Sequence, residues 1–89
     1  MFNFVDAVKM HELHPYTFEL PLPDKMRALK PGHYVKICHN EERFWVIVKE
    51  INNDKIKGIV NNDLIREQPF KCDDEIEFEK RHIYNILVE

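Results

Sequence analysis

Five histidines and two cysteines are the residues of this 89-residue chain best suited to metal or nucleophile chemistry. They are His11, His14, His33, His39 and His82, with Cys38 and Cys72. Zinc takes these ligand types, but structural sites converge four of them and draw them from close pairs such as Cys-x-x-Cys or His-x-x-x-His. The chain has no such pair. His11 and His14 are three apart and would share one face of a helix that ran through both. Cys38 and His39 are adjacent, and on a strand they point to opposite sides. The expectation is surface histidines and two small thiols, buried or half-buried, with no metal and no cofactor.

Nucleophilic catalysis has little to work with. The chain contains no serine, and Thr17 is its one threonine. A hydrolase built on Cys38 or Cys72 with His82 is the weakest of three functional readings. A reactive thiol needs an electropositive setting, and Cys72 is followed by Asp73, Asp74 and Glu75. The acidic run continues through Glu77 and Glu79. It reads as the solvated side of an edge strand, where charge deters edge-to-edge pairing. A docking surface for a basic partner is the alternative. With two glycines in all, neither a P-loop nor a dinucleotide fingerprint can be built.

Aromatic and basic residues offer more. Arg43 and Trp45 are two apart, so on a strand they share a face. Arg beside Trp is a pair enriched at protein interfaces. Tyr34, Lys36 and Tyr84 complete the candidate binding set. Tyr16, Tyr34, Trp45 and Tyr84 are also candidate stacking platforms for single-stranded nucleic acid, near the basic Lys25, Arg27, Lys30 and Lys36. Two readings of Trp45 stand side by side. Its setting in FWVIV suits a core position beneath the Arg43 stem. Its parity with Arg43 suits an open binding face.

The elements that must position these residues fall into two parts of one domain, residues 1–89. A helical and extended preface spans 1–32 and a β-sheet core spans 33–89. Residues 4–13 carry apolar Phe4, Val5, Val8 and Leu13 at amphipathic-helix spacing, and Pro15 ends that helix. The following TFELPLP is extended. Asp24 is placed to cap a second short helix with Met26 and Leu29 on one face, and Pro31-Gly32 stops it. Residues 33–39 alternate, with Val35 and Ile37 on one side. Residues 43–51 form the strongest strand, apolar on both sides. Asn52-Asn53-Asp54 is a hairpin turn before a return strand at 55–61, where Gly58 signals a bulge or a close backbone approach. Asp63 to Arg66 is expected to make one helical turn. Residues 75–79 alternate, and 82–88 end the chain as a short strand or 3-10 segment. The architecture this predicts is α+β: a small, bent antiparallel sheet of four to five strands, an SH3-like partly open barrel, with the preface packed across an open side or an edge of it.

Composition narrows the partners. Net charge is −3, whereas duplex nucleic-acid binders carry a basic excess. No apolar run approaches the roughly 18 residues of a membrane span. The N-terminal residues lack the basic and apolar regions of a secretory signal, and two cysteines make no disulfide framework. These features point to the cytoplasm and away from the membrane.

Several runs form a recognisable series. Leu29 to Lys36 reads LKPGHYVK, and Glu42 to Val46 reads ERFWV. Ile59 to Ile65 contains NNDL, and Ile76 to Glu79 leads into His82-Ile83-Tyr84-Asn85-Ile86. Over residues 14 to 88 the series resembles a bacterial family of unknown function that includes YegJ-like and mobile gene-cassette proteins. The resemblance implies a compact α+β domain with a bent sheet in the bacterial cytoplasm, and it implies no activity. The family pattern has Asp where His33 stands, and often Asp where Asn85 stands, which weighs against carboxylate chemistry in this chain.

The reading that follows is a non-enzymatic protein-interaction module, with Arg43, Trp45, Tyr34, Lys36 and Tyr84 as the binding residues. A single-stranded nucleic-acid-binding barrel is the alternative. Exposed sheet edges add the expectation that a homodimer can form.

Overall fold

Alternation along residues 33–60 does build the expected strands. The computed structural model describes residues 3–15 and 20–88. Helix α1 spans Ala7–Leu13 and α2 spans Pro23–Arg27. Five strands follow: β1 Tyr34–His39, β2 Glu42–Asn52, β3 Lys55–Val60, β4 Glu75–Glu79 and β5 Asn85–Leu87. They form one antiparallel sheet in the order β4-β3-β2-β1-β5. The sheet is strongly bent but not closed into a barrel, and its helices are short.

Turn chemistry fixes the register. Asn40 and Glu41 both adopt positive φ, 49° and 63°. That is the geometry of a two-residue hairpin loop, and it pairs His39 with Glu42. Asn53, at φ 57°, supplies the left-handed residue of the next hairpin and lets Asn52 pair with Lys55. Gly58 accounts for both of the readings its position suggested. Val48 pairs with Gly58 and Glu50 with Lys57, which leaves Lys49 as an extra residue on β2. A Cβ on Gly58 would collide with Val46 Cγ1 and lie 2.8 Å from the Ile47 carbonyl oxygen. The bulge switches parity, so Phe44, Val46 and Val48 point inward before it and Ile51 after it.

The core lies on the concave side. Val35, Ile37, Phe44, Val46, Val48, Ile56, Val60 and Phe78 are all but inaccessible, and such burial is the main drive for folding. Phe4, Leu29, Phe70 and Ile83 close it over, with Met26 and Leu64 alongside. The Phe4 ring lies 5.4 Å from His39 of β1 and 6.2 Å from Phe78 of β4. In a flat sheet those strands would stand about 14 Å apart, so one ring touching both reports the bend. The preface does pack across the open side.

Three local expectations fail. The first helix begins at Ala7, not at residue 4, because Asp6 caps it by accepting from the Lys9 amide at 3.0 Å. Phe4 is instead in extended chain, and the Val5 amide donates to the Cys38 carbonyl at 3.0 Å. Val8 and Leu13 consequently face solvent. Asp24 is not a cap: Pro23 opens α2, and Asp24 sits in its first turn paired with Arg27. Asp63 to Arg66 makes no helical turn. Tyr16, Thr17 and the start of the extended TFELPLP segment lie outside the described residues.

Candidate functional site

The convex side of the sheet gathers the candidate residues. Cross-strand pairing sets Leu87 beside Tyr34, Tyr34 beside Ile47, and Ile47 beside Ile59. This is a row of four large apolar side chains across four strands, each only partly buried or exposed. The next row holds Asn85, Lys36 and Trp45. Beyond it Cys38 faces Arg43. Four of the five candidates, Tyr34, Lys36, Arg43 and Trp45, therefore meet solvent on one contiguous surface. Trp45 is half-buried on this outer face, so its reading as a core residue beneath Arg43 fails. It follows Phe44, and two adjacent residues of a strand cannot both face the core.

Each cation is stacked, although not in the expected pairing. Lys36 Nζ sits 5.0 Å from the Trp45 ring centroid, and the Arg43 guanidinium lies 5.2 Å from that of Tyr84. Such contacts hold a cation against an aromatic face. Tyr84 itself is only 9% exposed. It packs with Ala7, Cys38, Val5 and Leu20, and burial pushes its hydroxyl pKa far up. Tyr84 thus supports Arg43 from below and presents no open stacking platform.

The backbone of Trp45 is clamped from the loop after β3. The Asn61 amide donates to its carbonyl at 2.9 Å, and its amide donates to Asn62 Oδ1. The ERFWV and NNDL runs are therefore in contact. Tyr34, Trp45, Asn61, Asn62 and Leu87 line a shallow cavity of about 220 Å³. The candidate set missed Ile47, Ile59, Asn61, Asn62 and Leu87. Parity from Trp45 would have supplied Ile47, and the hairpin register then supplies Ile59.

A second polar constellation holds the loop between β3 and β4. Glu42 accepts from the amides of Ile65 and Arg66 at 2.7 and 2.9 Å. These bonds, the Ile65 one first, hold its carboxyl below the usual range. Gln68 Nε2 donates to the His39 carbonyl at 3.0 Å and to Glu42 at 3.2 Å. Gln68 Oε1 lies 2.7 Å from His39 Nδ1, which must then carry the proton, because a carbonyl oxygen only accepts. This network orients the loop against β1 and β2.

The thiols and His82 are likewise committed to structure. Burial raises the pKa of Cys38, and burial followed by the Asp73 and Asp63 charges raises that of Cys72. Both stay protonated near neutral pH, the wrong state for a nucleophile. His82 Nδ1 accepts from the Glu79 amide at 3.0 Å, and its ring packs 5.7 Å from Phe4. Among the described residues no three His, Cys, Asp or Glu side chains converge to hold a metal ion, and no helix is long and apolar enough to cross a membrane.

Glu75, Glu77 and Glu79 lie on the outer side of β4, an edge strand, as their alternation implied. Glu79 is engaged by Arg81, which also reaches Asp6, both at 2.9 Å. The outer face is thus acidic at the β4 end and aromatic and basic toward β1. Comparison with protein-family models, curated proteins and solved structures finds no match to this chain.

Proposed function

We propose that this chain is a non-enzymatic protein-interaction module whose outer sheet face binds an acidic, partly apolar segment of a partner protein. One observation carries this reading. The row Leu87, Tyr34, Ile47 and Ile59 stays partly open to solvent beside two cations held on aromatic rings. Among the described residues Lys36 has no carboxylate partner. An apolar centre flanked by fixed charge is the anatomy of a recognition surface, in which large buried anchors supply affinity and charge supplies orientation. The resemblance to the YegJ-like family and a cytoplasmic setting belong to the same reading.

Lys36 over Trp45 also favours a second reading, because a cation beside an aromatic platform suits single-stranded nucleic acid. Against it stand the net charge of −3 and the glutamates of β4 on the same face. A tagged pull-down from host lysate, with protein and nucleic acid both measured in the eluate, separates the two. The protein reading expects a stoichiometric protein that is lost with Arg43→Glu, in a variant whose circular dichroism matches the parent. Nucleic acid retained at low salt and released as salt rises, with no protein captured, overturns it in favour of the second.

A further inference from the structure

We infer that the β5 edge pairs with the β5 edge of a second copy of this chain, in an antiparallel register centred on Leu87. The two edges of the sheet are unequal. The β4 edge strand carries Glu75, Glu77 and Glu79 on one side, so a second β4 brought against it would meet like charge. The β5 edge strand reads Asn85, Ile86, Leu87 and runs on into Val88, with neither charge nor proline until Glu89. It pairs with β1 on one side only, which leaves an edge open to a second strand, although the Ile86 amide already donates to Asn85 Oδ1 at 2.9 Å and must exchange that bond on pairing.

Side chains at this edge are self-complementary. Leu87 is 46% exposed at the end of the outer apolar row, and Val88 is 57% exposed. Ile86 points inward and is buried. By alternation Val88 follows Ile86 and Leu87 faces the other way. An antiparallel pair centred on Leu87 sets Leu87 against Leu87 of the second copy on the outer face. It sets Val88 against Ile86 of the second copy on the inner side, and the converse. Leu87, Ile86 and Val88 then each meet an apolar counterpart, in the reciprocal pairing that a two-fold axis gives an isologous contact. A slip of two residues would put Asn85 against Leu87 and lose that match, and a slip of one would set inward side chains against outward ones. In the centred register the two outer rows join into one strip with a Lys36 and an Arg43 on each side of the axis.

The pairing concerns an edge and not the capture of a partner by Lys36 and Arg43, so each can fail without the other. With only three residues of β5 in the sheet, the dimer is expected to be weak and concentration-dependent. Sedimentation equilibrium of the whole chain from micromolar to millimolar concentration is the first test, with a reversible monomer–dimer equilibrium expected. Leu87→Lys should lower the association constant at least tenfold while leaving the circular dichroism unchanged. In a Cys38→Ala, Cys72→Ala background, Leu87→Cys should form an intermolecular disulfide on oxidation, and Asn85→Cys should form far less. If the charged variant unfolds, amide exchange of the unsubstituted chain decides, since residues 86–88 should gain protection as concentration rises. A monomer at millimolar concentration overturns the inference. So does a dimer that Leu87→Lys leaves intact, equal crosslinking at both positions, or unchanged exchange.

Discussion

Phe44 and Trp45 are neighbours on β2 and face opposite ways. Phe44 is 1% exposed and packs its ring 5.4 Å from Phe70. Trp45, the larger ring, stays half open beneath Lys36. The same division runs through the whole sheet: Val35, Ile37, Ile56 and Phe78 are sealed under the preface and the β3–β4 loop, whereas Tyr34, Ile47, Ile59 and Leu87 are covered by nothing so complete. A polar outer face would serve a bent antiparallel sheet equally well for folding. Folding accounts for the inner side chains. The outer ones are what the proposed binding role would use.

Changes on the two faces should therefore separate in what they affect. The largest loss is expected from Phe44→Ala, about 3–5 kcal/mol of stability by urea unfolding, from lost burial and the cavity left behind. Gly58→Ala follows at about 1–3 kcal/mol, because its Cβ must displace Val46 Cγ1 and crowd the Ile47 carbonyl. Trp45→Ala should cost roughly 1 kcal/mol, its ring being only partly removed from water, while abolishing partner capture. If Trp45→Ala costs as much as Phe44→Ala, the comparison between the faces breaks. Asp24→Ala, which removes an exposed pair with Arg27, should stay within about 0.5 kcal/mol.

Acid sharpens the same contrast. Burial, and then the Arg81 charge, lower the pKa of His82 below 6.5. The unfolded chain takes up that proton first as pH falls, so stability is full above about 6.5 and declines from there through the lower folded value. The charged ring also loses the Nδ1 acceptor for the Glu79 amide. His82→Asn should remove this slope in urea midpoints measured between pH 7 and pH 5. Asp6, Glu42 and Glu79, all with lowered pKa values, contribute stability present above their ordinary range and lost in stronger acid. None of these groups belongs to the outer aromatic row, so the melting loss should come from the inner side and the clamps around it.

Much of this organisation was legible in the residues. Period-two alternation at 33–39 and 75–79, the Asn-rich turn at 52–54 and the isolated Gly58 define four strands and the bulge, because these signals are local. The binding set was legible in part. Arg43, Trp45, Tyr34 and Lys36 follow from parity and one pairing register. The burial of Tyr84 does not, since it depends on Ala7 and Val5 arriving from the far end of the chain. The first helix misled for a related reason. Phe4 looked like its first apolar position, but the sheet recruits it as extended chain next to β1, and tertiary packing overrides a weak local preference. In the sequence Leu87 is one more apolar residue of the final segment. Its place at the end of an apolar row appears only once β5 is known to pair with β1.

The most direct test of the outer face is site-specific photocrosslinking. Benzoylphenylalanine placed at Ile59 lies in the apolar row, whereas at Ile65 it lies on an exposed loop residue outside that row, 94% accessible to solvent. On irradiation in host lysate, a defined protein adduct at Ile59 and none at Ile65 is the result expected. Equal labelling at both positions, or no adduct at Ile59, would contradict the claim that this face is a binding surface.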